Sequence, residues 1–130
     1  MRYKDFYAEL GKLLYAVAGI DKTVSETEKK RLQNIIKEEL APKEVHTDAF
    51  GSDTAYYAEM EFEFLDDQIA EPEAAFESFI EFMDEHHTVF DTKLKKKVLK
   101  VVEELASADH GINRKESGLI KQLKGKLRGK

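Results

Sequence analysis

The chain has 130 residues, 36% charged and 42% hydrophobic, with a formal net charge of −5. That length suits a single domain, residues 1–130, with a core of its own. It contains no cysteine, which excludes a disulfide framework, a thiolate zinc site and a cysteine nucleophile.

Helical signals run the length of the chain. Phe6, Leu10, Leu13, Leu14 and Val17 form one apolar stripe at helical spacing. Ser25 then reads as the N-cap of a second helix, with Glu28 three residues on completing a capping box. Leu32, Ile35, Ile36 and Leu40 supply that helix with a buried face, and Pro42 marks its end. The stretch 41–53 has the glycine and polar residues of a connection, and Phe50 within it reads as an apolar anchor between Asp48 and Asp53.

"AEMEFEF" alternates like a strand, yet Ala58, Phe62, Leu65 and Ile69 step like a helix. No second strand candidate exists to satisfy its backbone, so helix is the expectation. Pro72 suits a helix N1 position, and Phe76, Phe79, Ile80 and Met83 follow as a stripe ending near His87. Asp91 caps a fifth helix that buries Leu94, Val98, Val101, Val102 and Leu105. Asn113 caps a sixth, carrying Leu119, Ile120, Leu123 and Leu127, with fraying expected at Gly125 and Gly129. The fold class is all-α: a compact bundle of about six helices.

Charge is unevenly spread along these helices. Residues 43–92 hold 1 basic and 15 acidic residues, and residues 93–130 hold 12 basic and 4 acidic ones. Either oppositely charged helices lie near one another, or the surface is bipolar and attracts different partners on its two sides. Met1 is followed at once by charged residues, and no apolar run approaches membrane-spanning length. The expected setting is soluble and cytoplasmic, with no direct membrane insertion.

Shifting the sequence by 88 residues brings the two ends into register. Leu10, Leu13, Leu14, Val17 and Ala18 meet Val98, Val101, Val102, Leu105 and Ala106. Asp21 meets Asp109, Val24 meets Ile112, Ser25 meets Asn113 and Glu28 meets Glu116. The repeat units cover about 6–40 and 94–127, each a helix, a short loop with Asp and a capped second helix, around acidic middle helices at about 53–88.

The pattern A-x-x-D-x-x-[VI]-[SN]-x-x-E, present at 18–28 and 106–116, resembles the TerB-like family. That family is named for the tellurite-resistance protein TerB and shares its fold with the N-terminal domain of the DjlA co-chaperone. The resemblance covers residues 6–124. Family members typically carry "ADG" in the loop, where this chain has "IDK" at 20–22 and "ADH" at 108–110, with Gly111 following. The resemblance implies divalent-cation binding through Asp21, Glu28, Asp109 and Glu116, with Ca²⁺ the expected ion, in a stress-response or regulatory assembly with a protein partner. Four carboxylates brought together would repel one another unless a cation or protons neutralised them.

The same four residues have a second reading. Glu28 and Glu116 are the N3 members of capping boxes, and Asp21 and Asp109 can accept loop amides. On that reading the chain is an interaction or scaffold domain without a metal. An EF-hand is excluded, because the bidentate Glu required at the twelfth loop position is Leu32 in one copy and Ile120 in the other.

Other candidates are weaker. Asp84 and His87 have a metal-ligand spacing beside Glu77 and Glu81, but His46, His86 and His110 lack a matching carboxylate, so a solvated acidic face is expected. No aromatic residue follows Phe90 in the basic segment, so nucleic acid is not the expected partner. No phosphate-binding glycine loop, nucleophile elbow or paired-histidine motif occurs, and the chain is read as non-enzymatic.

Overall fold

Residues 3–20, 24–40, 54–107 and 114–128 are described in a computed structural model. They form α1 (Tyr3–Gly19), α2 (Glu26–Ile35), α3 (Tyr56–Asp67), α4 (Pro72–Glu85), α5 (Thr92–Ala106) and α6 (Arg114–Arg128). A π-helical turn, Ile36–Leu40, continues α2. No strand occurs among the described residues, so the all-α expectation holds. Pro42, the connection with Asp48, Phe50 and Asp53, and the cap Asn113 lie outside them.

The core is organised by α1, which packs against α3, α4, α5 and α6. The sequence pattern predicts one apolar stripe on this helix, but burial extends almost all round it. Tyr7, Tyr15, Ala16 and Ala18 are buried as well as the stripe residues. A helix that is apolar on every side is stable only when other helices surround it.

Gly11 is the point of closest approach. A Cβ added there would collide with the carbonyl oxygen of Ala58 and lie 3.1 Å from its Cα, so backbone of α3 rests directly on α1. Ala55 and Ala58, both fully buried, keep the α3 side of this crossing equally thin.

One turn further along α1, the Tyr15 ring packs edge-on against Phe62 at 5.9 Å. The Tyr15 hydroxyl donates to the carbonyl of Ala70 at 2.7 Å. That bond holds the turn between α3 and α4. The helical spacing that carries the α3 stripe on to Ile69 therefore misleads. The helix ends at Asp67, and Ile69 sits beyond it at φ 52°, 86% exposed. Positive φ is strained for a β-branched residue, and the turn imposes it.

At the opposite end of the bundle Phe90, which belongs to no predicted stripe, fills the junction between α4 and α5. Its ring lies 5.9 Å from Phe6, 6.1 Å from Phe79 and 6.2 Å from Phe82. Asp91 beside it caps α5 as expected, accepting from the Leu94 amide at 2.9 Å. Pro72 occupies the first turn of α4, and Val98, Val101, Val102 and Leu105 are buried on α5. At Gly125, where fraying is expected, the helix is continuous, and Gly129 lies outside the described residues. Helix α6 runs to Arg128 because Leu123 and Leu127 are both buried. Packing on one face compensates for the poor helix propensity of glycine on the other.

Two glycine substitutions separate close packing from propensity. Gly11→Ala should cost about 1–3 kcal/mol, because α3 must move away from α1. Gly118→Ala, where an added Cβ meets nothing within 4 Å, should gain roughly 0.5–1 kcal/mol. Urea unfolding of the two variants checks the opposite signs.

Candidate functional site

Capping geometry builds the first half of the repeated element. Ser25 has extended backbone (φ −81°, ψ 158°), which turns its side chain back over the first turn of α2. Its Oγ accepts from the Glu28 amide at 3.1 Å. Glu28 Oε1 accepts in return from the Ser25 amide at 3.0 Å and from the Ser25 hydroxyl at 3.2 Å. The predicted capping box is present in both directions.

In the second half, Glu116 is the third residue of α6, as Glu28 is of α2. These two are 4% and 6% exposed, and no other carboxylate whose side chain is described is buried. Burying a carboxylate is costly unless hydrogen bonds or a cation compensate. The sequence repeat therefore coincides with a burial pattern that periodicity could not reveal. Asp21 and Asp109, the loop members of the predicted set, lie outside the described residues, as does His110.

The two helix–loop–helix units differ in surroundings. Helix α1 is enclosed almost entirely, whereas α5 buries one face. Helix α2 passes into a π turn after Ile35, while α6 continues without one.

Among the described residues, Glu28 and Glu116 included, no group of three or more His, Asp or Glu side chains is arranged to hold a metal ion. Glu77, Glu81, Asp84 and His87 are all exposed on or just beyond α4. The His87 Nδ1 lies 3.1 Å from the carbonyl oxygen of Asp84, so the ring is engaged by backbone at that nitrogen.

A polar cleft of about 240 Å³ between α2 and α3 has no signature in the sequence. Leu32 and Phe62 line it, together with Lys29, Glu63, Asp66 and Asp67. Lys29 reaches Asp66 at 3.1 Å and Glu26 at 3.5 Å. The bond to Asp66 raises the lysine above its ordinary pKa. Nearby on α3, half-buried Glu59 is pushed above the usual carboxylate range, by burial first and then by Glu63 one turn away. Buried Tyr15 is raised as well, by burial and then by Asp66 and Glu71. Of these groups Lys29 and Asp66 tie α2 to α3, and no nucleophile–base pair is among them.

The family model for the tellurite resistance protein TerB matches residues 8–128. No curated protein and no solved structure matches the chain.

Two outcomes follow from the caps and charges. Ser25→Ala should lower stability by about 1 kcal/mol, read by chemical denaturation. Glu59 binds its proton more tightly folded than unfolded, so its contribution to stability falls as pH rises through the raised value. Glu59→Gln should accordingly raise the melting temperature at neutral pH, and the gain should vanish at a pH below the unfolded value.

Proposed function

This chain belongs to the TerB family, and on that premise we propose that it is a non-enzymatic module that binds a divalent cation at its repeated loops. Asp21, Glu28, Asp109 and Glu116 would hold the ion, and the module would couple it to a protein partner in a stress-response or regulatory assembly. The observation that carries this reading is the pairing of Glu28 and Glu116. They are the two buried carboxylates among the described side chains, and each is the third residue of its helix.

The donor chemistry fits a hard ion. Carboxylate oxygens suit Ca²⁺ or Mg²⁺, and the cysteine-free chain offers no thiolate to select a softer metal. The cation would supply positive charge that lets the four carboxylates share one region. The chain's own part is positional. Ser25 fixes the rotamer of Glu28 through Oε1, and the burial of Glu28 and Glu116 limits competition from water.

A second reading, a scaffold without metal, is favoured by one observation. The Ser25–Glu28 box already accounts for the spacing of that pair and compensates part of the Glu28 burial. The two readings diverge in ion dependence. Thermal unfolding at low ionic strength, metal-free and then with Ca²⁺, Mg²⁺, Mn²⁺ or Zn²⁺ against a monovalent control, should show a rise specific to a divalent ion. A ligand at about a hundred times its dissociation constant adds roughly 2.7 kcal/mol of stability. The rise should be lost in Asp21→Ala and in Asp109→Ala. A melting temperature indifferent to every divalent ion would leave the scaffold reading.

A further inference from the structure

The outer face of α3 carries an apolar ridge. Tyr56, Met60 and Phe64 recur every four residues, directly opposite the Ala58 and Phe62 face that packs inward, and they are 38%, 60% and 53% exposed. Isolated exposed apolar residues are ordinary, but a run along successive turns of one helix face is a contiguous patch. It is about 12 Å long from the rise of a helix. By helical angle Glu63 and Asp67 fall on this same face, and Glu59 lies at its edge. The ridge is therefore apolar along its crest and negative along its border.

A groove of complementary character lies on the other helix pair. Between α5 and α6 a depression of about 430 Å³ has Leu99 and Leu127 as its apolar lining and Lys95, Lys96, Lys124 and Arg128 as its rim. Lys124 also makes a loose contact with Glu103 at 3.6 Å, within the α5–α6 pair itself. The groove sits in the segment with 12 basic and 4 acidic residues, and the ridge in the segment with 1 basic and 15 acidic residues.

The two surfaces do not cover each other in one chain. The ridge side chains remain exposed, and among the described residues neither α3 nor α4 packs extensively on α5 or α6.

We propose that the α3 ridge of one copy seats in the α5–α6 groove of a second copy. Crest meets floor through apolar contact, which supplies affinity. Carboxylate border meets cationic rim, which sets orientation and speeds encounter. Because each copy uses two different surfaces, the contact is heterologous. A joined pair still presents one open ridge and one open groove, so assembly continues beyond a dimer unless the rotation closes a ring. This association rests on α3, α5 and α6 and is independent of any cation at the repeated loops.

Sedimentation velocity over a concentration series tests it. At low ionic strength the average mass should climb past that of a dimer as concentration rises. It should fall back in about 1 M salt, where the screening length is roughly 3 Å. A ridge variant, Met60→Ala with Phe64→Ala, and a groove variant, Lys96→Glu with Arg128→Glu, should each sediment as monomers. Circular dichroism should show the parent's helix content in both, since all four positions are exposed. Mixed in equal amounts, the two variants retain one good ridge and one good groove between them. They should form a 1:1 complex of twice the monomer mass that grows no further.

A parent chain that stays monomeric at every concentration in low salt would overturn the proposal and leave the ridge to a foreign cationic partner. Association that survives the groove variant would overturn it in favour of a symmetric ridge-to-ridge dimer. Failure of the mixture to pair would overturn it too.

Discussion

At Gly11 the backbone of α1 and the backbone of α3 meet with no side chain between them, and the placement of α3 and its neighbours follows from that contact. It brings α3 close enough for Phe62 to reach the Tyr15 ring and for the Tyr15 hydroxyl to reach Ala70. That hydroxyl holds the turn from which α4 departs, and α4 in turn presents Phe79 and Phe82 to Phe90. Close helix approach also fixes which face of α3 points outward, since Ala58 must face Gly11. The apolar crest of Tyr56, Met60 and Phe64 is left in solvent as a geometric consequence of the small residues opposite it.

Polar ties across the bundle follow the same layout. On one flank Glu9 and Lys12 of α1 share Ser78 of α4, with oxygen–oxygen distances of 3.1 and 3.3 Å and a lysine contact of 3.3 Å. On another, Lys97 of α5 donates to the Tyr7 hydroxyl at 3.1 Å with its ammonium 5.5 Å from the ring centre. Helix α2 is tied to α3 through Lys29–Asp66 and to α5 through Arg31–Glu104 at 3.3 Å. These partly exposed pairs contribute little each, on the order of 1 kcal/mol or less. Their value is in orienting helices whose burial supplies most of the stability.

The candidate site shows how local and global terms share one residue. Glu28 is a cap by its hydrogen bonds and a buried carboxylate by its packing. Either property alone would be ordinary. Burial and helix position recur together at Glu116. An ion at these positions is a proposal, while the capping chemistry stands with or without it.

Sequence alone determined what depends on neighbours three and four residues away. The six helices, the Ser25 and Asp91 caps, Pro72 in a first turn and the buried stripes of α4, α5 and α6 all rest on such local spacing. The matching positions of Glu28 and Glu116 in their helices were legible for the same reason, and so was the TerB resemblance. What the tertiary structure decided needed residues far apart in the chain. The alternation in "AEMEFEF" was ambiguous because the helix places Phe62 inward and Met60 and Phe64 outward, and only packing on α1 shows which side is the core. Ile69 fell outside its helix because the Tyr15 hydroxyl, 55 positions before Ala70, holds the turn there. Phe90 had no periodic partner, since its contacts come from α1 and α4 together. The burial of two glutamates, the Lys29–Asp66 tie and the groove between α5 and α6 likewise exist only once helices meet. Periodicity records how a segment solves its own backbone, and it carries no information about which other segment will cover the result.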